Sequence, residues 1–407
     1  MRILLIHQFF LEDHEGGGSR WNEIGRIWKE NDHDVTVLAG MTHYMGIAKN
    51  RHNRKFFHIS ENCNGVQVIR CFAGGNFKSI AGRIISFFSF ALTAILGGLF
   101  YAKENYDVII VSSPPLFVGI SGLFLSLWKN IPFIFEVRDL WPESAIDLGI
   151  LKNKNLIRLT FWFESYLYKK AKLINVLTPA FGESLIKKGV DPKKIIYIPN
   201  AADFPNAEKA LSTFDHAQFR QQHQLQDKFI ITYVGAHGIA NHLIQILDTA
   251  DLLTDTNVIF LLIGDGAQKQ YLIKEAEKRN LRNVRFIDSV SKFEVFNYIH
   301  ASDMGTSVLK KTNTFKTIYS NKTFDYFSCK KPVLMAIDGI SRKLVEEANA
   351  GVFIEPENPA DFARKIRFYI DNPLLLTDQG ENGYRYAKNH FDREVLAIRY
   401  LNYIRDL

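Results

Sequence analysis

Glycine-rich turns that could hold an anion follow strand-like runs at three places along the 407 residues. Backbone N–H groups in such turns can approach a phosphate closely, and a helix that begins after the turn adds partial positive charge. None of the turns matches the dinucleotide fingerprint or the P-loop, so each one taken alone is also compatible with a plain surface turn. The residues concerned are Gly17, Gly18, Gly235, Gly238, Gly264, Asp265 and Gly266.

A fourth anion-binding pattern begins at Ser320, just before a helical segment. Ser320 is a suitable N-cap, so Ser320 and Asn321 would mark a helix N-terminus that points at an anion. Lys322 would add a positive charge, and Asp325 lies one turn further along the same face. Its carboxylate can accept hydrogen bonds from a vicinal diol such as a ribose. The alternative interpretation is a capped and solvated amphipathic helix.

A charged cluster follows a strongly apolar run in the first half of the chain. It contains Arg138, Asp139, Trp141 and Glu143, and Ser113 closes the preceding strand-like run beside it. Ligands of parallel sheets bind beyond the carboxyl ends of the strands. A guanidinium, two carboxylates and a tryptophan at that edge therefore indicate a functional site.

The sequence predicts no metal site. The triplet Asp32-His33-Asp34 has the DxD spacing of some metal–diphosphate sites, but it precedes a strand-like run and is interpreted as a turn. His7 is interpreted as a satisfied core histidine. Three scattered cysteines form neither a disulfide framework nor a zinc motif. Because the carboxylates are not clustered, we expect metal-independent chemistry.

Short apolar runs alternate with helical stretches almost throughout the chain, which predicts βαβ units and parallel sheets. The alternation breaks between about Pro199 and Lys228 and then restarts. We expect two Rossmann-like, doubly wound α/β domains facing a cleft, over residues 1–199 and 229–390, with a linker at 200–228. The predicted strands are Arg2–Phe10, Asp34–Gly40, Val66–Phe72, Asp107–Val111, Ile131–Val137, Leu173–Leu177, Phe229–Gly235, Asn257–Gly264, Asn283–Asp288, Asp303–Leu309, Pro332–Ile337 and Gly351–Ile354.

The net positive charge of the chain lies entirely in its first half. Residues 1–200 hold 24 lysines and arginines against 17 acids, whereas residues 201–407 hold 26 of each. A basic half favours an anionic partner such as a membrane surface or a phosphorylated lipid, although solubility alone is the alternative. No nucleic-acid-binding signature is present, and a nucleic-acid partner is not expected. No signal peptide is evident, and a cytoplasmic protein is expected.

The uncharged run Ile84–Ala102 is long enough to be a membrane-span candidate. Ser86, Ser89, Thr93 and Gly97 recur along it at helical spacing, so small and polar groups share one face. We expect a buried or membrane-facing helix rather than a span. Basic residues that could accompany it at a lipid interface are Lys49, Arg51, Arg54, Lys55, Lys78 and Arg83. A core helix with solvated flanks is the alternative.

Taken in order, these segments resemble the family-4 retaining glycosyltransferases, which have the GT-B architecture. The resemblance covers nearly the whole chain and within the family is greatest to bacterial surface-polysaccharide transferases, including L-fucosamine transferases. It rests on the segments GGGSR, DVTVL, SPP, RDLWPES, PNAAD, YVGAHG, IGDG and NKTFDYFSCKKPV.

The resemblance implies that the second domain binds a nucleotide-sugar donor, most often UDP-linked, and that the first binds the acceptor. It implies that Phe391–Leu407 crosses back onto the first domain and that Asp325 is the second acid of the family's E-x7-E motif. Thr317 stands where the first acid is expected, which puts a usual sugar contact in doubt. The implied catalytic residues are Asp139, Arg138 and Lys322. The implied donor-binding residues are Gly17, Gly18, Gly235, Gly238, Gly264, Asp265, Gly266, Thr317, Ser320, Asn321, Lys322 and Asp325, and the implied acceptor-binding residues are Ser19, Arg20, Ser113, Trp141 and Glu143.

Three functional hypotheses remain at this point. In the first, the protein transfers an N-acetylated hexosamine or a deoxyhexose to a polyprenyl-diphosphate-linked saccharide of O-antigen or capsule. It would do so with anomeric retention, at the inner face of the cytoplasmic membrane. The second is a UDP-N-acetylglucosamine 2-epimerase-type enzyme of the same fold. The third is a noncatalytic sugar-nucleotide-binding or lipid-binding protein, which the threonine at position 317 makes credible.

Overall fold

The computed structural model describes residues 1–12, 15, 17–41, 56–75 and 80–407. The chain divides into two compact units. The first comprises Met1–Asp13, Ser19–Pro199 and Glu394–Leu407, and the second comprises His14–Gly18 and Asn200–Arg393. Some residues noted in the sequence lie outside the described ones, namely Gly16, Lys49, Arg51, Arg54, Lys55 and Lys78.

The first unit is built on an eight-stranded sheet with the order β3-β4-β2-β1-β5-β6-β7-β8. All its neighbours are parallel except β3 and β4, which are antiparallel. The central strands are apolar and buried because helices cover both faces. The strands are β1 (Arg2–His7), β2 (Asp34–Gly40), β3 (Phe57–Glu61), β4 (Gln67–Cys71), β5 (Val108–Ser113), β6 (Phe133–Val137), β7 (Leu173–Val176) and β8 (Ile195–Tyr197).

Among the described residues, six helices precede Asn200 along the chain, and a last one returns to the first unit at the end. The six are α1 (Arg20–Glu30), α2 (Ile80–Phe100), α3 (Val118–Lys129), α4 (Glu143–Asp147), α5 (Lys154–Lys170) and α6 (Pro179–Lys187), with a 3-10 turn at Pro192–Lys194. Asn31 and Asp32 form a turn, and His33 links it to β2, in agreement with the turn predicted before this strand.

The second unit has a six-stranded, all-parallel sheet with the order β11-β10-β9-β12-β13-β14. This is the doubly wound order, in which the direction of strand addition reverses between β9 and β12; such sheets bind ligands at that point. The strands are β9 (Phe229–Val234), β10 (Val258–Ile263), β11 (Val284–Ile287), β12 (Met304–Val308), β13 (Val333–Ala336) and β14 (Gly351–Phe353).

Nine helices belong to the second unit or lead out of it. They are α7 (Phe204–Ser212), α8 (His216–Gln222), α9 (Ile244–Asp251), α10 (Lys269–Lys278), α11 (Lys292–Ala301), α12 (Asn321–Ser328), α13 (Ile340–Glu347), α14 (Pro359–Asp371) and α15 (Leu374–His390), with a 3-10 turn at Thr314–Thr317. The chain ends with α16 (Arg393–Arg405).

The predicted α/β class with two parallel-sheet, Rossmann-like domains is confirmed. Every predicted strand exists, with ends within three residues of the prediction. The sequence missed two edge strands, β3 and β8, because β3 is half-exposed with polar alternation and β8 has only three residues. The antiparallel β3–β4 pair also departs from the purely parallel sheet that was expected.

The segment predicted as a linker, 200–228, is folded. It forms α7 and α8, and α7 buries Phe204, Ala207 and Ala210 at helical spacing. The Phe204 ring packs 5.0 Å from that of Tyr384, and His300 Nε2 lies 3.1 Å from the Ala207 carbonyl oxygen. The stretch lacks a strand pattern, but its apolar stripe is sufficient for a helix.

The helix α2 packs its small and polar side onto the sheet. The hydroxyl of Thr93 donates to the Phe72 carbonyl oxygen (2.6 Å), and Gln8 Nε2 donates to Ser86 Oγ (3.2 Å). A Cβ on Gly97 would lie 2.8 Å from Cys71 Sγ, so the helix sits very close to β4. The predicted common face of small residues is therefore the inner face of α2.

The C-terminal helix α16 packs on α1 within the first unit. Trp28 Nε1 donates to the Ala397 carbonyl oxygen (2.9 Å), and the Tyr400 ring lies 5.7 Å from that of Trp28 and 6.1 Å from that of Trp21. All three aromatic side chains are buried. Three large rings in mutual contact contribute strongly to this core.

We predict that Tyr400→Ala lowers the free energy of unfolding by about 3–5 kcal/mol, because it leaves a cavity between two tryptophans. Tyr403→Ala, on the same helix but partly exposed, should cost less than about 1 kcal/mol. Urea denaturation followed by tryptophan fluorescence measures both. Equal losses for the two variants would contradict the packing described for Tyr400.

Candidate functional site

Two glycine turns meet at the carboxyl ends of β9 and β10. The Gly235 amide donates to the Ile263 carbonyl oxygen (2.9 Å), and the His237 amide donates to that of Asp265 (2.8 Å). The φ angles of Gly235 and Gly264 are 144° and 140°. A Cβ on Gly264 would overlap the Gly235 carbonyl oxygen, so only glycine fits there.

Gly266, whose φ is 154°, also belongs to the contact between these two turns. A Cβ on Gly266 would lie 2.6 Å from the His237 carbonyl oxygen. Asp265 Oδ1 accepts a hydrogen bond from the Gly266 amide (2.7 Å), and Gly238 lies further along the first turn. The predicted glycines of the second unit are therefore brought together at one edge of the sheet.

A buried lysine that the sequence did not single out supports these turns. Lys269 is 6% exposed, and its ammonium donates to the Gly264 carbonyl oxygen (2.9 Å). The same group pairs with Asp288 (Nζ–Oδ1 2.5 Å). Lys269 begins α10, where a lysine in the sequence is indistinguishable from an ordinary surface residue.

Lys322 lies against the turn that contains Gly235. A Cβ on Gly235 would lie 3.3 Å from Lys322 Cε and 3.7 Å from its Nζ. The ammonium is 4.8 Å from the centre of the Tyr233 ring and 3.5 Å from Ser320 Oγ. Burial lowers the pKa of Lys322 to about 8, and the negative charge of Asp325 partly opposes that shift. The cation is thus held, partly buried, against the turn.

The N-terminus of α12 begins beside this cation. Ser320 occupies the predicted N-cap position, but its hydroxyl bonds with that of Ser307 (2.8 Å) rather than with a helix amide. The Ser320 amide donates to Ser341 Oγ (3.1 Å). No side chain of the described residues caps the helix, so the amide end that begins at Asn321 keeps its partial positive charge.

Tyr326 fixes the position of α12 and was not recognised as a site residue in the sequence. Its hydroxyl accepts from the Val234 amide (3.2 Å) and lies within bonding distance of the Thr232 and Thr306 carbonyl oxygens (2.9 and 3.1 Å). A Cβ on Gly305 would overlap the Tyr326 ring. A glycine inside a buried strand marks such a close approach, and Gly305 was the available signal.

Asp325 is paired rather than solvated. Its carboxylate accepts from Lys292 Nζ (2.5 Å), and that ammonium lies 5.2 Å from the centre of the Phe296 ring. Lys292 lies 33 residues away in sequence, so no local pattern could have identified it. Thr317 ends the 3-10 turn, and its hydroxyl donates to the Thr314 carbonyl oxygen (2.6 Å).

In the first unit, a predicted acceptor residue is instead part of the buried framework. Arg20 Nη2 pairs with Glu136 Oε2 (3.0 Å), and both side chains are almost fully buried. The guanidinium also donates to the carbonyl oxygens of Ile198 and Pro199 (2.8 and 2.5 Å). Asn175 Nδ2 donates to the same carboxylate (2.9 Å). The prediction for Arg20 is therefore replaced by a structural role, because burial beside Glu136 satisfies the guanidinium internally.

The predicted catalytic pair lies just beyond β6. Burial raises the pKa of Asp139, and the hydrogen bond that Ser144 Oγ donates to its carboxylate (2.7 Å) opposes the shift. Arg138 Nη1 is 3.2 Å from His7 Nε2. Burial, followed by the nearby Arg138 charge, lowers the pKa of His7 well below its usual value. The His7 imidazole is thus buried, as expected of a core histidine, and its Nε2 lies beside Arg138, a predicted site residue.

The other residues predicted to contact the acceptor are spread over this edge of the first unit. Ser113 ends β5 and is buried, and the Trp141 ring is 5.7 Å from that of Phe117. Glu143 Oε1 pairs with Lys188 Nζ (2.6 Å). Ser19 precedes α1 and its hydroxyl bonds with Glu23. Gly17 and Gly18 are exposed just before it.

Among the residues that the structure describes, no three histidine, cysteine or acidic side chains are grouped so that they could hold a metal ion. Metal independence stays a prediction. What the second unit does present is a set of backbone turns, an uncapped helix end and a partly buried cation around Gly235. That combination suits a diphosphate, whose charge is spread over several oxygens.

Comparisons with known proteins agree with this geometry. Residues 15–201 match the family model described as "Glycosyl transferase 4-like domain", and residues 215–386 match "Glycosyl transferases group 1". The chain is 23% identical over 330 residues to "Putative colanic acid biosynthesis glycosyl transferase WcaI" of Escherichia coli K12, covering 79% of this chain and 80% of that protein. It is 24% identical over 267 residues to "Probable glycosyltransferase WbjE" of Pseudomonas aeruginosa, covering 64% and 65%.

Two solved structures show the same fold. A sucrose-phosphate synthase from Thermosynechococcus elongatus superimposes with a TM-score of 0.78 at 17% identity, covering 100% of this chain and 98% of that one. Anabaena Alr3699/HepE in complex with UDP-glucose superimposes with a TM-score of 0.74 at 16% identity, covering 100% of both chains.

We predict that Lys322→Met stabilises the protein below about pH 8 by roughly 1–3 kcal/mol, because the unmodified chain must bury an ammonium there. The folded pKa is about 8 against a usual value of 10.5. The cost is therefore fully present below the folded pKa and disappears as the pH rises towards the unfolded one. The stability difference should shrink between about pH 8 and pH 10.

Urea denaturation at about pH 8 and at about pH 10 measures the stability difference between Lys322→Met and the unmodified chain. Lys343→Met, which removes an exposed lysine of α13, should change the stability by less than about 0.5 kcal/mol at either pH. A destabilised Lys322→Met at neutral pH would show that the ammonium is not under strain.

Proposed function

The chain is a glycosyltransferase with the GT-B fold, since glycosyltransferase domain models match 15–201 and 215–386, and we propose that its second unit binds a UDP-linked sugar as donor. The observation that carries the proposal is the convergence of the Gly235 and Gly264 turns with Lys322 and the uncapped end of α12. The reaction we propose is transfer of a hexosyl group with anomeric retention, and retention rests on the family resemblance.

The chemistry of sugar transfer explains why these groups belong together. Breaking the bond between the sugar and the phosphate leaves a diphosphate that carries developing negative charge. Fixed amides and a cation in a dry site stabilise that charge without reorganising. Lys322 lies at the glycine turn, where its ammonium would face the leaving group. Binding of an anion would also raise its pKa and keep it protonated.

The donor's ribose is proposed to contact Asp325. Lys292 pairs with Oδ1 of this carboxylate, and carboxylate oxygens can accept the hydrogen bonds of a vicinal diol. Thr317 stands in place of the family's first acid, so the usual charged contact to the sugar is absent from that position. Asn321 and the amides after Ser320 remain available on α12.

The acceptor is proposed to bind the first unit near Asp139. Ser144 orients this carboxyl through a 2.7 Å hydrogen bond, and burial raises its pKa, so it could orient an acceptor hydroxyl or take up its proton. Arg138, Trp141 and Glu143 follow the same strand. Two carboxyls and a guanidinium near an aromatic ring suit a sugar hydroxyl acceptor.

The nature of the acceptor is proposed from the relatives. One is named for colanic acid biosynthesis, and a structural neighbour was solved with UDP-glucose. We propose surface-polysaccharide synthesis, such as O-antigen or capsule, on a polyprenyl-diphosphate-linked saccharide. The donated sugar would be an N-acetylated hexosamine or a deoxyhexose. Such an acceptor implies a protein that works at the inner face of the cytoplasmic membrane as a peripheral enzyme.

A noncatalytic sugar-nucleotide-binding protein is the second candidate, because Thr317 lacks the expected carboxylate. Radiolabelled UDP-sugars incubated with a lipid extract separate the two. Transfer of label into the lipid fraction supports the enzyme. Binding of UDP without transfer from any donor of a panel, to lipid or soluble acceptors, supports the binding protein. Conversion of UDP-N-acetylglucosamine without an acceptor would identify an epimerase.

We predict that UDP raises the unfolding temperature of the unmodified chain, with about 2.7 kcal/mol of stabilisation at a hundredfold excess over Kd. Lys322→Met should weaken UDP binding about ten- to a hundredfold, because it removes a charge-assisted contact. Lys343→Met is the matched control and should bind UDP normally.

UDP affinity should also fall as the pH rises above 8, the approximate pKa of Lys322 in the unliganded fold, and Lys322→Arg should remove that fall. An unchanged UDP affinity in Lys322→Met would contradict the proposal that the nucleotide-sugar donor binds at this site.

We predict that Asp139→Asn lowers the rate of sugar transfer at least about a hundredfold while UDP binding stays within about twofold. The reason is that Asp139 lies in the first unit, whereas the nucleotide is proposed to bind the second. Isothermal calorimetry with UDP and a transfer assay on the same preparation give the two values. A loss of UDP affinity equal to the loss of rate would contradict this division of roles.

A further inference from the structure

The outer side of α2 is apolar and largely exposed. Its exposed side chains recur every three or four residues and form one stripe along the helix, and Leu92 is 61% exposed. The members are Ile85, Phe88, Leu92, Leu96 and Phe100. The inner side carries Ser86, Thr93 and Gly97 instead. An ordinary surface helix has the reverse arrangement, with its apolar stripe towards the core.

Two neighbouring helices extend this surface. On α3 the exposed apolar residues are Phe124, Leu127 and Trp128, and Leu127 and Trp128 are 71% and 69% exposed. On α5 they are Leu156, Leu159, Trp162 and Tyr166, with Trp162 61% exposed. These residues, together with the stripe on α2, are called the outer apolar face.

The three helices form one continuous layer. Ser121 Oγ on α3 donates to the Ala91 carbonyl oxygen on α2 (2.7 Å). A ring series also crosses the layer, since the Phe117 ring lies 4.4 Å from that of Phe88 and 6.3 Å from that of Phe163. Gly119 touches Leu167 so closely that a Cβ would overlap it. The residues of the outer apolar face therefore lie on one continuous layer of helices, and large exposed apolar patches are uncommon on monomers.

The same helices are strongly basic. Their sequences contain six cationic residues and one acid. The acid, Glu164, is buried and pairs with Lys188 (2.8 Å), so it contributes no free negative charge at the surface. The cations are Arg83, Lys129, Lys154, Arg158, Lys169 and Lys170.

We propose that the outer apolar face inserts into the interfacial region of an anionic lipid bilayer. The proposal rests on the proposed function in that a lipid-linked acceptor gives such docking its use. Exposed apolar and aromatic side chains on helices rich in lysine and arginine match an acyl boundary beneath anionic head groups. A second copy of the chain fits less well, because face-to-face association would bring two basic surfaces together.

The binding mode is interfacial rather than transmembrane. Gly82–Phe100 is the one stretch of the described residues that is long and apolar enough to cross a bilayer, with a mean hydropathy of 1.8. Its inner side, however, is bonded to the sheet through Thr93 and Ser86. A span would break those bonds, whereas insertion of the outer stripe keeps them.

Co-sedimentation of the full chain with vesicles tests the proposal. The vesicles are phosphatidylcholine alone or phosphatidylcholine with about 30% phosphatidylglycerol, enough to give an anionic surface. The unmodified chain should bind the anionic vesicles, and the double variant Leu92→Glu/Trp128→Glu should lower the vesicle-bound partition coefficient at least about tenfold. The matched control is Leu374→Glu, which places a carboxylate on an 80% exposed leucine of the second unit and should bind like the parent.

Stabilisation by UDP is measured on every variant, so that a folding defect or a failed donor site is seen separately from a failed membrane contact. Normal UDP binding with lost vesicle binding in the double variant supports the proposal. Vesicle binding that is unchanged in the double variant, or absent in the parent, overturns it. Equal binding to neutral vesicles overturns the role of the basic residues. A dimer of the parent that the double variant converts to a monomer, without any effect on vesicles, identifies the face as a self-interface and also overturns it.

Discussion

The architecture of the second unit depends on the close approach of two backbone turns at the carboxyl ends of β9 and β10. Gly235 and Gly264 lie so near each other that no Cβ could be placed on Gly264. Their hydrogen bonds to neighbouring strands hold the turns at a fixed separation. The Lys269 ammonium donates a hydrogen bond to the Gly264 carbonyl oxygen. A side chain on Gly264 would force the two turns apart, whereas a side chain on Gly235 would press on Lys322 and on the Tyr233 hydroxyl.

Burying the charged Lys322 at this site lowers the stability of the folded protein. Lys322 lies over the Tyr233 ring beside Gly235, and its pKa is lowered because the surroundings are poor in water. Tyr326 makes this possible, since its hydroxyl fixes α12 at the point where the strand order reverses. A partly buried, preorganised cation costs folding energy but stabilises an anion better than a fully solvated one.

The first unit places polar and apolar groups in an unusual way. A buried arginine–carboxylate pair, Arg20 with Glu136, lies at the carboxyl edge of the sheet, where Ser112, Glu136 and Asn175 are in register on neighbouring strands. Such a pair is costly to break because it would leave a charge buried alone. At the same time α2 turns its apolar stripe outward and its small residues inward. Close packing on β4 requires the small residues inside, and the large ones are left on the surface.

By itself, the sequence determined the class of fold, the position of nearly every strand and the identity of the glycine turns. These features depend on local periodicity and on backbone freedom, which neighbouring residues decide. It also located Lys322 and Asp325 on one helix face. Only the tertiary structure decided what those residues touch. Lys292 is paired with Asp325 across 33 residues of sequence, and Arg20 is paired with Glu136 across 116. The same holds for α2, because its composition is compatible with a span, a core helix or a surface helix. Which side faces the sheet depends on the shape of β4, and that shape exists only after the chain has folded.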